Sequence, residues 1–465
     1  MDDISKKLEY KKTNGWGNKT IDLGAINEYC HKYITFLSNY KTERQAVAYC
    51  TELLAQNGFT EGSTNNFFLT HKDKNVGIVR IPNNYDLTKG VNMLVSHLDC
   101  PRLDLKPNPL YEDTDLAYLK THYYGGIKKY QWVSRALAIH GVIFNKEGKR
   151  IDVSIGEDDN DPVFFIADLL PHLSHKVQED KKIKDAITGE QLNVLVGNMP
   201  FLLNNEEDKE KKNSVKLNIL HLLNEKYGIT EEDFTTAEIE IVPAGKAREL
   251  GFDRSMIGAY GHDDRVCSYN ALKAIIDAKN TEKPMMVWLV DKEEIGSDGN
   301  TGAKSAFIRQ ILKQAFINSG QEPSALKIDE CLFNSLALSG DVTGAYDPEW
   351  KEVFEARNSA KLGYGVSMEK YGGSRGKSGS SDANAEYISK LRKLFNENNI
   401  VWQTGELGKV DEGGGGTVAK FLAAYGMEIV DVGTPVLAMH SPMECCSKLD
   451  IFMTYKAYKL FLEKA

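Results

Sequence analysis

Val91-Asn92-Met93-Leu94-Val95-Ser96, followed at once by His97-Leu98-Asp99-Cys100-Pro101, is the stretch around which the fold of this 465-residue chain can be read. Six mainly apolar residues fit a buried strand, and a His, a carboxylate and a Pro directly after them fit the loop that an α/β sheet presents at the carboxyl end of a strand. Upstream, residues 26–59 hold two helical patterns in succession. Ile26, Tyr29, Tyr33 and Phe36 mark one face, Ala46, Tyr49, Leu53 and Leu54 the next, and Gly58 closes the second. Residues 67–81, with "KDKN" in the middle, read as a hairpin leading into the strand that carries His97.

Downstream of Pro101 the pattern changes. Between 102 and 242 come short alternating stretches (137–144, 151–155, 162–170, 238–242), with a single helical run at 215–227 and a charged segment, "NNEEDKEKK" at 204–212, that reads as solvated and disordered. After Val242 strands and helices alternate again. Helices are expected at 266–279, 304–319, 383–398 and 449–462, and strands at 285–290, 335–339 and 428–438. The expected architecture is an α/β, mixed-sheet domain formed by residues 1–101 and 243–465, interrupted by a mainly β insertion at 102–242.

Composition bounds the function. The chain is 42% hydrophobic and 26% charged, with 39 Gly and 13 Pro, which describes a globular protein. A net charge of −9 argues against nucleic acid or an anionic membrane surface as a partner. The seven Cys include the neighbours Cys445 and Cys446 but form no Cys-x-x-Cys, a usage that suits a reducing cytosol. Residues 1–7 lack the apolar core of a signal peptide, and no apolar run reaches the roughly 18 residues of a membrane span. A cytoplasmic protein is expected.

Acidic and imidazole side chains recur where strands end. The 285–290 strand runs into Asp291-Lys292-Glu293-Glu294-Ile295-Gly296, the 335–339 strand into Gly340-Asp341, and the 428–438 strand into Met439-His440-Ser441. Gly261-His262-Asp263-Asp264-Arg265 stands just before a helix. With His97 and Asp99, five loops can bring two His and several carboxylates to one sheet edge. Any one of them alone is ordinary: Asp263-Asp264 as a helix cap, Glu293-Glu294 as a solvated turn. Together they need cations, because crowded carboxylates repel and raise one another's pKa values. A mixed His/Asp/Glu set suits two zinc ions, with manganese or cobalt as alternatives, and one carboxylate must bridge them.

"SHLDCPRLDLKP" from Ser96, "DDRVCSYNAL" from Asp263, "DKEEIGS" from Asp291, "SGDVTGAYDP" from Ser339 and "MHSPMECCSKLD" from Met439 resemble, in that order, the motifs of the aspartyl aminopeptidase family, di-zinc exopeptidases. The resemblance spans essentially the whole chain and is closer to the bacterial branch. It implies that His97, Asp263 and Asp341 surround one ion and Asp263, Glu294 and His440 the other. It also implies that Asp263 bridges, that Asp99 orients the His97 imidazole, and that Glu293 is the general base. Peptides would be cut at the first residue, with the free amine held near the metal-site carboxylates. The resemblance further implies that the insertion dimerises, that His172 completes the neighbouring subunit's site, and that dimers assemble into a dodecamer.

Some positions depart from the eukaryotic pattern. Val342-Thr343-Gly344-Ala345-Tyr346 replaces a His-containing run, and "KYGGSRGKSGSSD" from Lys370 lacks the usual Asn-Gln-Arg-Tyr. Lys370 or Arg375 could pair with an acidic first residue of the substrate, although a Lys in a Gly/Ser loop is most often simply solvated. Rival readings are a di-metal N-acyl amino acid hydrolase or carboxypeptidase on a related scaffold, and a non-catalytic assembly protein. The intact Glu293 speaks against the last.

Overall fold

A nine-stranded mixed sheet organises the larger part of the chain in the computed structural model, which describes residues 2–202, 214–279 and 282–465. Segment 204–212 lies outside the described residues. The chain divides into two units, Met1–Asp99 with Ala247–Met439 and Met443–Ala465, and Cys100–Lys246 with His440–Pro442.

In the first unit the sheet runs, edge to edge, through Thr60–Glu61, Asn66–His71, Asn75–Arg80, Met285–Val290, Asn92–His97, Leu336–Ser339, Glu428–Gly433, Val366–Glu369 and Trp402–Thr404. Met285–Val290, Asn92–His97, Leu336–Ser339 and Glu428–Gly433 are mutually parallel, so their carboxyl ends share one edge. Residues of one strand alternate between two cores, as a period of two requires. Leu94, Val287, Leu289, Leu338 and Val430 join the core shared with helices Leu23–Asn39, Glu43–Gln56, His262–Asp277 and Lys448–Lys464. Met93, Val95, Met286, Trp288 and Ala337 join the opposite core, with helices Phe307–Asn318 and Ala325–Phe333. Burial on both faces explains why these strands read as continuous apolar runs.

The segment expected as one strand at 428–438 is two, Glu428–Gly433 in the large sheet and Pro435–Leu437 in a separate five-stranded sheet. Glycine stands at the break. A Cβ on Gly433 would lie 1.7 Å from the Asp341 carbonyl oxygen, so only glycine lets the two strand ends approach. The helix expected from 304 begins at Phe307, after a turn in which Lys304 N–H donates to the Ser297 carbonyl.

The second unit carries a six-stranded sheet in the order Arg150–Ile155, Leu137–Phe144, Glu238–Pro243, Arg102–Asp113, Leu116–Tyr124, Val194–Gly197, with every neighbouring pair antiparallel. Thr114 and Asp115, at φ +49° and +59°, make the two-residue hairpin turn with both centres left-handed that matches strand twist. Helix Ser214–Tyr227 accompanies this sheet, and an apolar recess of about 690 Å³ is lined by Leu105, Leu119, Ile139, Ile219 and Leu223 among others.

Candidate metal centre

The centre begins at the tip of Asn92–His97. His97, 1% exposed, stands opposite Val290 in register, so the loop after Met285–Val290 starts beside it. Its Nδ1 lies 2.9 Å from the Asp99 carbonyl oxygen and 3.3 Å from Asp99 Oδ1. With the Nδ1 proton directed to Asp99, Nε2 faces the opposite way. There it meets Asp263 Oδ1 at 3.2 Å and Asp341 Oδ1 at 3.8 Å.

Asp99 does a second thing. Its Oδ1 accepts the N–H of Glu293 at 3.1 Å and its Oδ2 that of Glu294 at 3.2 Å. One buried carboxylate therefore fixes both the imidazole and the Glu293–Ile295 turn, which Lys292 enters through a left-handed conformation (φ +67°). The turn is further anchored by Asp291, whose Oδ2 accepts the Thr301 hydroxyl at 2.6 Å and the Lys292 ammonium at 3.1 Å.

Asp263 and Asp264 open the His262–Asp277 helix with non-helical backbone angles, which directs the two carboxylates differently. Asp264 is hydrogen-bonded by the Ser96 hydroxyl, itself 3.0 Å from Ser268 Oγ. Asp263 keeps its carboxylate towards His97, and its N–H donates to Glu444 Oε2 at 3.1 Å. The neighbouring His262 is structural. Tyr33 donates to its Nδ1 at 2.9 Å, its Nε2 donates to the Ile257 carbonyl at 3.1 Å, and burial pushes its pKa down to about 3.

Three groups of potential ligand atoms lie within 4.8 Å of one another among the described residues: His97, Asp263 and Glu294; His97, Glu293 and Asp341; Asp263, Asp264 and Asp341. Their electrostatics call for positive charge. Burial, Asp341, Asp99 and Asp263 push the Glu293 carboxyl up to about 8 against the pull of His97. Burial opposes a charged His97, yet hydrogen bonds to Asp263, Asp341 and Asp99 outweigh it and hold the ring's pKa well above its ordinary value. A proton on His97 thus does in part what a cation would do, and one imidazole among oxygen ligands is a donor set that zinc accepts.

Of the remaining expected residues, His440 and His172 belong to the second unit and Lys370 and Arg375 to the first. His440 groups with the second unit, its backbone at φ +65° and its Nδ1 2.9 Å from the Gly126 carbonyl oxygen. His172 is exposed on the short helix Pro171–Ser174 of the same unit. Lys370 is exposed, with Nζ 3.6 Å from Asp382 Oδ1, and Arg375 is exposed in a left-handed turn (φ +49°). Ser96, Ser268 and Glu444, which brace the centre from behind, carried no signal in the sequence: a serine in an apolar strand and a lone glutamate are unremarkable until neighbours are known.

Mixed sheets with this metal-ready edge define a class of α/β metallopeptidases, and comparison with known proteins narrows it. Residues 36–462 match the profile of the aminopeptidase I zinc metalloprotease family, M18. A probable M18 family aminopeptidase 1 of Thermotoga maritima is 47% identical over 464 residues, covering 98% of this chain and 100% of that one. Its Clostridium acetobutylicum counterpart is 48% identical over 442 residues, covering 93% of each. The crystal structure of the Thermotoga maritima M18 aminopeptidase superposes with a TM-score of 0.93 over 98% of this chain and all of that one, at 46% identity. More distantly, a Saccharomyces cerevisiae mApe1 dodecamer shares the fold at 20% identity, with a TM-score of 0.75 over 94% of this chain and 97% of that one. The chain belongs to the M18 family and is a zinc-dependent aminopeptidase.

Proposed function

We propose that this aminopeptidase works with two divalent ions, zinc in the first instance with cobalt or manganese as substitutes, and with Glu293 as general base. Asp263 would bridge the ions, His97 and Asp341 would complete one shell, and Glu294 and His440 the other. His440 enters from the sequence resemblance alone. When bound, the ions supply Lewis acidity to water and to the scissile carbonyl. Glu293 takes the proton of the attacking water and returns it to the departing amine. Asp99 holds both the imidazole and the Glu293 turn in place, and the site's carboxylates receive the substrate's free α-amine. The observation that carries this reading is the convergence of His97, Asp263, Glu293, Glu294 and Asp341 from separate loops within ligand distance.

The test presents the zinc-loaded protein with a leucine amide bearing either a free or an acetylated amine. Only the free amine should be consumed, and hydrolysis of the acetylated form alone would transfer the protein to the acylases. Elemental analysis should find two ions per chain. One ion, with full activity, ends the two-ion scheme.

A homo-oligomer is proposed as well, with the Cys100–Lys246 unit as its dimer-forming part and His172 reaching the neighbouring subunit. In support, that unit exposes Val163, Phe165, Leu170, Leu173, Val177 and Ile183, apolar side chains that a subunit contact would cover. The yeast relative's dodecamer supports a larger assembly of the same kind. Light scattering that returns a monomer at micromolar concentration rejects it. Seven free cysteines, six of them buried, fit a reducing cytoplasmic setting; no helix among the described residues is long and apolar enough to cross a membrane.

A further inference from the structure

The turn that carries Glu293 and Glu294 is held at two points, and only one of them is Asp99. Asp99 takes the N–H groups that follow Lys292, whereas Thr301 takes Asp291 and Lys292 themselves. Thr301, 1% exposed, donates its hydroxyl to Asp291 Oδ2 at 2.6 Å, and the same hydroxyl accepts from the Lys292 ammonium. Its carbonyl accepts the Asp291 N–H at 3.3 Å and the Asn75 side-chain amide at 2.6 Å. Asn75, fully buried in Asn75–Arg80, accepts the Trp288 indole N–H at 2.7 Å. An unbroken run of hydrogen bonds therefore leads from Trp288, inside Met285–Val290, through Asn75 and Thr301 to Lys292, the residue directly before Glu293.

Lys292 is where this run takes effect. At φ +67° it lies in the left-handed region, which a residue with a Cβ seldom adopts and which persists only where the surroundings impose it. That conformation turns the chain after Val290 so that the N–H groups of Glu293 and Glu294 both reach Asp99. A return of Lys292 to the right-handed region would swing both groups away, and the two glutamate side chains with them. The Lys292 side chain opposes that return, because its ammonium is engaged by Asp291 Oδ2 at 3.1 Å as well as by the Thr301 hydroxyl. Both bonds are charge-assisted, and Asp291, 1% exposed, would lose donors inside the protein if they broke.

We propose that Thr301 is a positioning residue for catalysis, and that with Lys292 and Asn75 it holds the turn in the one conformation that presents Glu293 to the attacking water and Glu294 to the metal. The three act through the two glutamates. Threonine suits the place because one hydroxyl gives to Asp291 and receives from Lys292 at once, which an apolar side chain of the same shape cannot do. The inference rests on the roles proposed above for Glu293 and Glu294 and adds the residues that keep them in place.

The experiment compares Thr301→Val, which keeps the shape and removes the hydroxyl, with Thr301→Ser, which keeps the hydroxyl, in zinc-saturated protein with leucine amide. Thr301→Val should lower kcat about ten-fold or more with KM nearly unchanged, and Thr301→Ser should retain most of the wild-type rate. Because the hydroxyl acts through Glu293, Thr301→Val made in the Glu293→Gln background should cost little further. Zinc affinity, read by competitive chelator titration, should fall about ten-fold in Thr301→Val, since Glu294 shares the turn. A lowered Tm with kcat and zinc affinity intact makes Thr301 merely structural and overturns the proposal. So does a Ser variant no better than Val, or a full additional loss in the Glu293→Gln background. Should Thr301→Val fail to fold, Lys292→Met removes only the partly exposed ammonium; it should lower kcat likewise, and unchanged kcat and zinc affinity there overturn the proposal. If Glu293→Gln by itself keeps full activity, the general-base reading falls and this inference with it. Full activity in Thr301→Val beside an inactive Glu293→Gln overturns this inference alone.

Discussion

At the scale of single residues the centre depends on what each carboxylate is asked to do. Glu293 and Asp99 differ most clearly. With Glu293 as general base and not a ligand, Glu293→Gln should keep its metal and lose about two orders of magnitude in kcat, measured with leucine amide alongside elemental analysis. Asp99 accepts from His97, Glu293 and Glu294 at once. Asp99→Asn keeps the shape but cannot accept all of these contacts, and metal affinity should fall about 10–100-fold in a competitive chelator titration. Unchanged affinity in that variant would mean that the imidazole and the turn hold themselves in place. The motif His97-Leu98-Asp99 was legible in the sequence as a ligand and its partner. The second function of Asp99 was not, because the Glu293 turn lies nearly two hundred positions away and only the register of Val290 with His97 brings it near.

Elements deliver these residues, and their ends are where the sequence speaks most clearly. Helix Glu43–Gln56 begins with a capping box, Thr42 accepting from Gln45 N–H at 3.3 Å and Gln45 returning an acceptor to Thr42 N–H at 3.2 Å. Thr42→Ala should cost about 1 kcal/mol in a urea melt with activity intact. Helix Lys448–Lys464 ties down residues 363–365 through Asp450, which accepts the N–H groups of Gly363 and Gly365, both at 2.7 Å. Burial nonetheless pushes the Asp450 carboxyl up to about 8. Between its unfolded value and about 8 the folded state binds the proton more tightly, so the stability this group contributes is complete at low pH and is lost as pH rises through about 8. Chemical denaturation of wild type and Asp450→Asn between about pH 5 and pH 9 should therefore show the wild type losing ground to the variant as pH rises. Parallel curves would mean that the carboxyl is already ionised when folded.

For the whole molecule, the centre links three parallel strand ends and a helix start of one unit. Divalent ions that bind only the folded state add stability by mass action, about 4 kcal/mol at a thousand-fold excess over Kd. Chelation should accordingly abolish hydrolysis and lower Tm together, and zinc should restore both; a Tm indifferent to chelator would place the ions outside the folded core. The apolar strands that could be read from periodicity are those buried on both sides of the sheet. The 428–438 segment misled because its apolar residues serve two different sheets, and the close approach at Gly433 involves Asp341, a residue of another strand's loop.

The chain's own order of residues determined the strand carrying His97, the parallel α/β rhythm, the mainly β stretch between its halves, the family and the acids and imidazoles able to bind metal. These are encoded by local period and by motif, which survive without neighbours. Only the tertiary structure decided that Asp264 is held by Ser96 while Asp263 faces His97, that Lys370 is occupied with Asp382, and that Glu369 stands opposite Asp431 on the neighbouring strand. Each of these is a matter of which strand lies next to which and in what register, and pairing between strands far apart in the chain is set by the packing of the whole sheet.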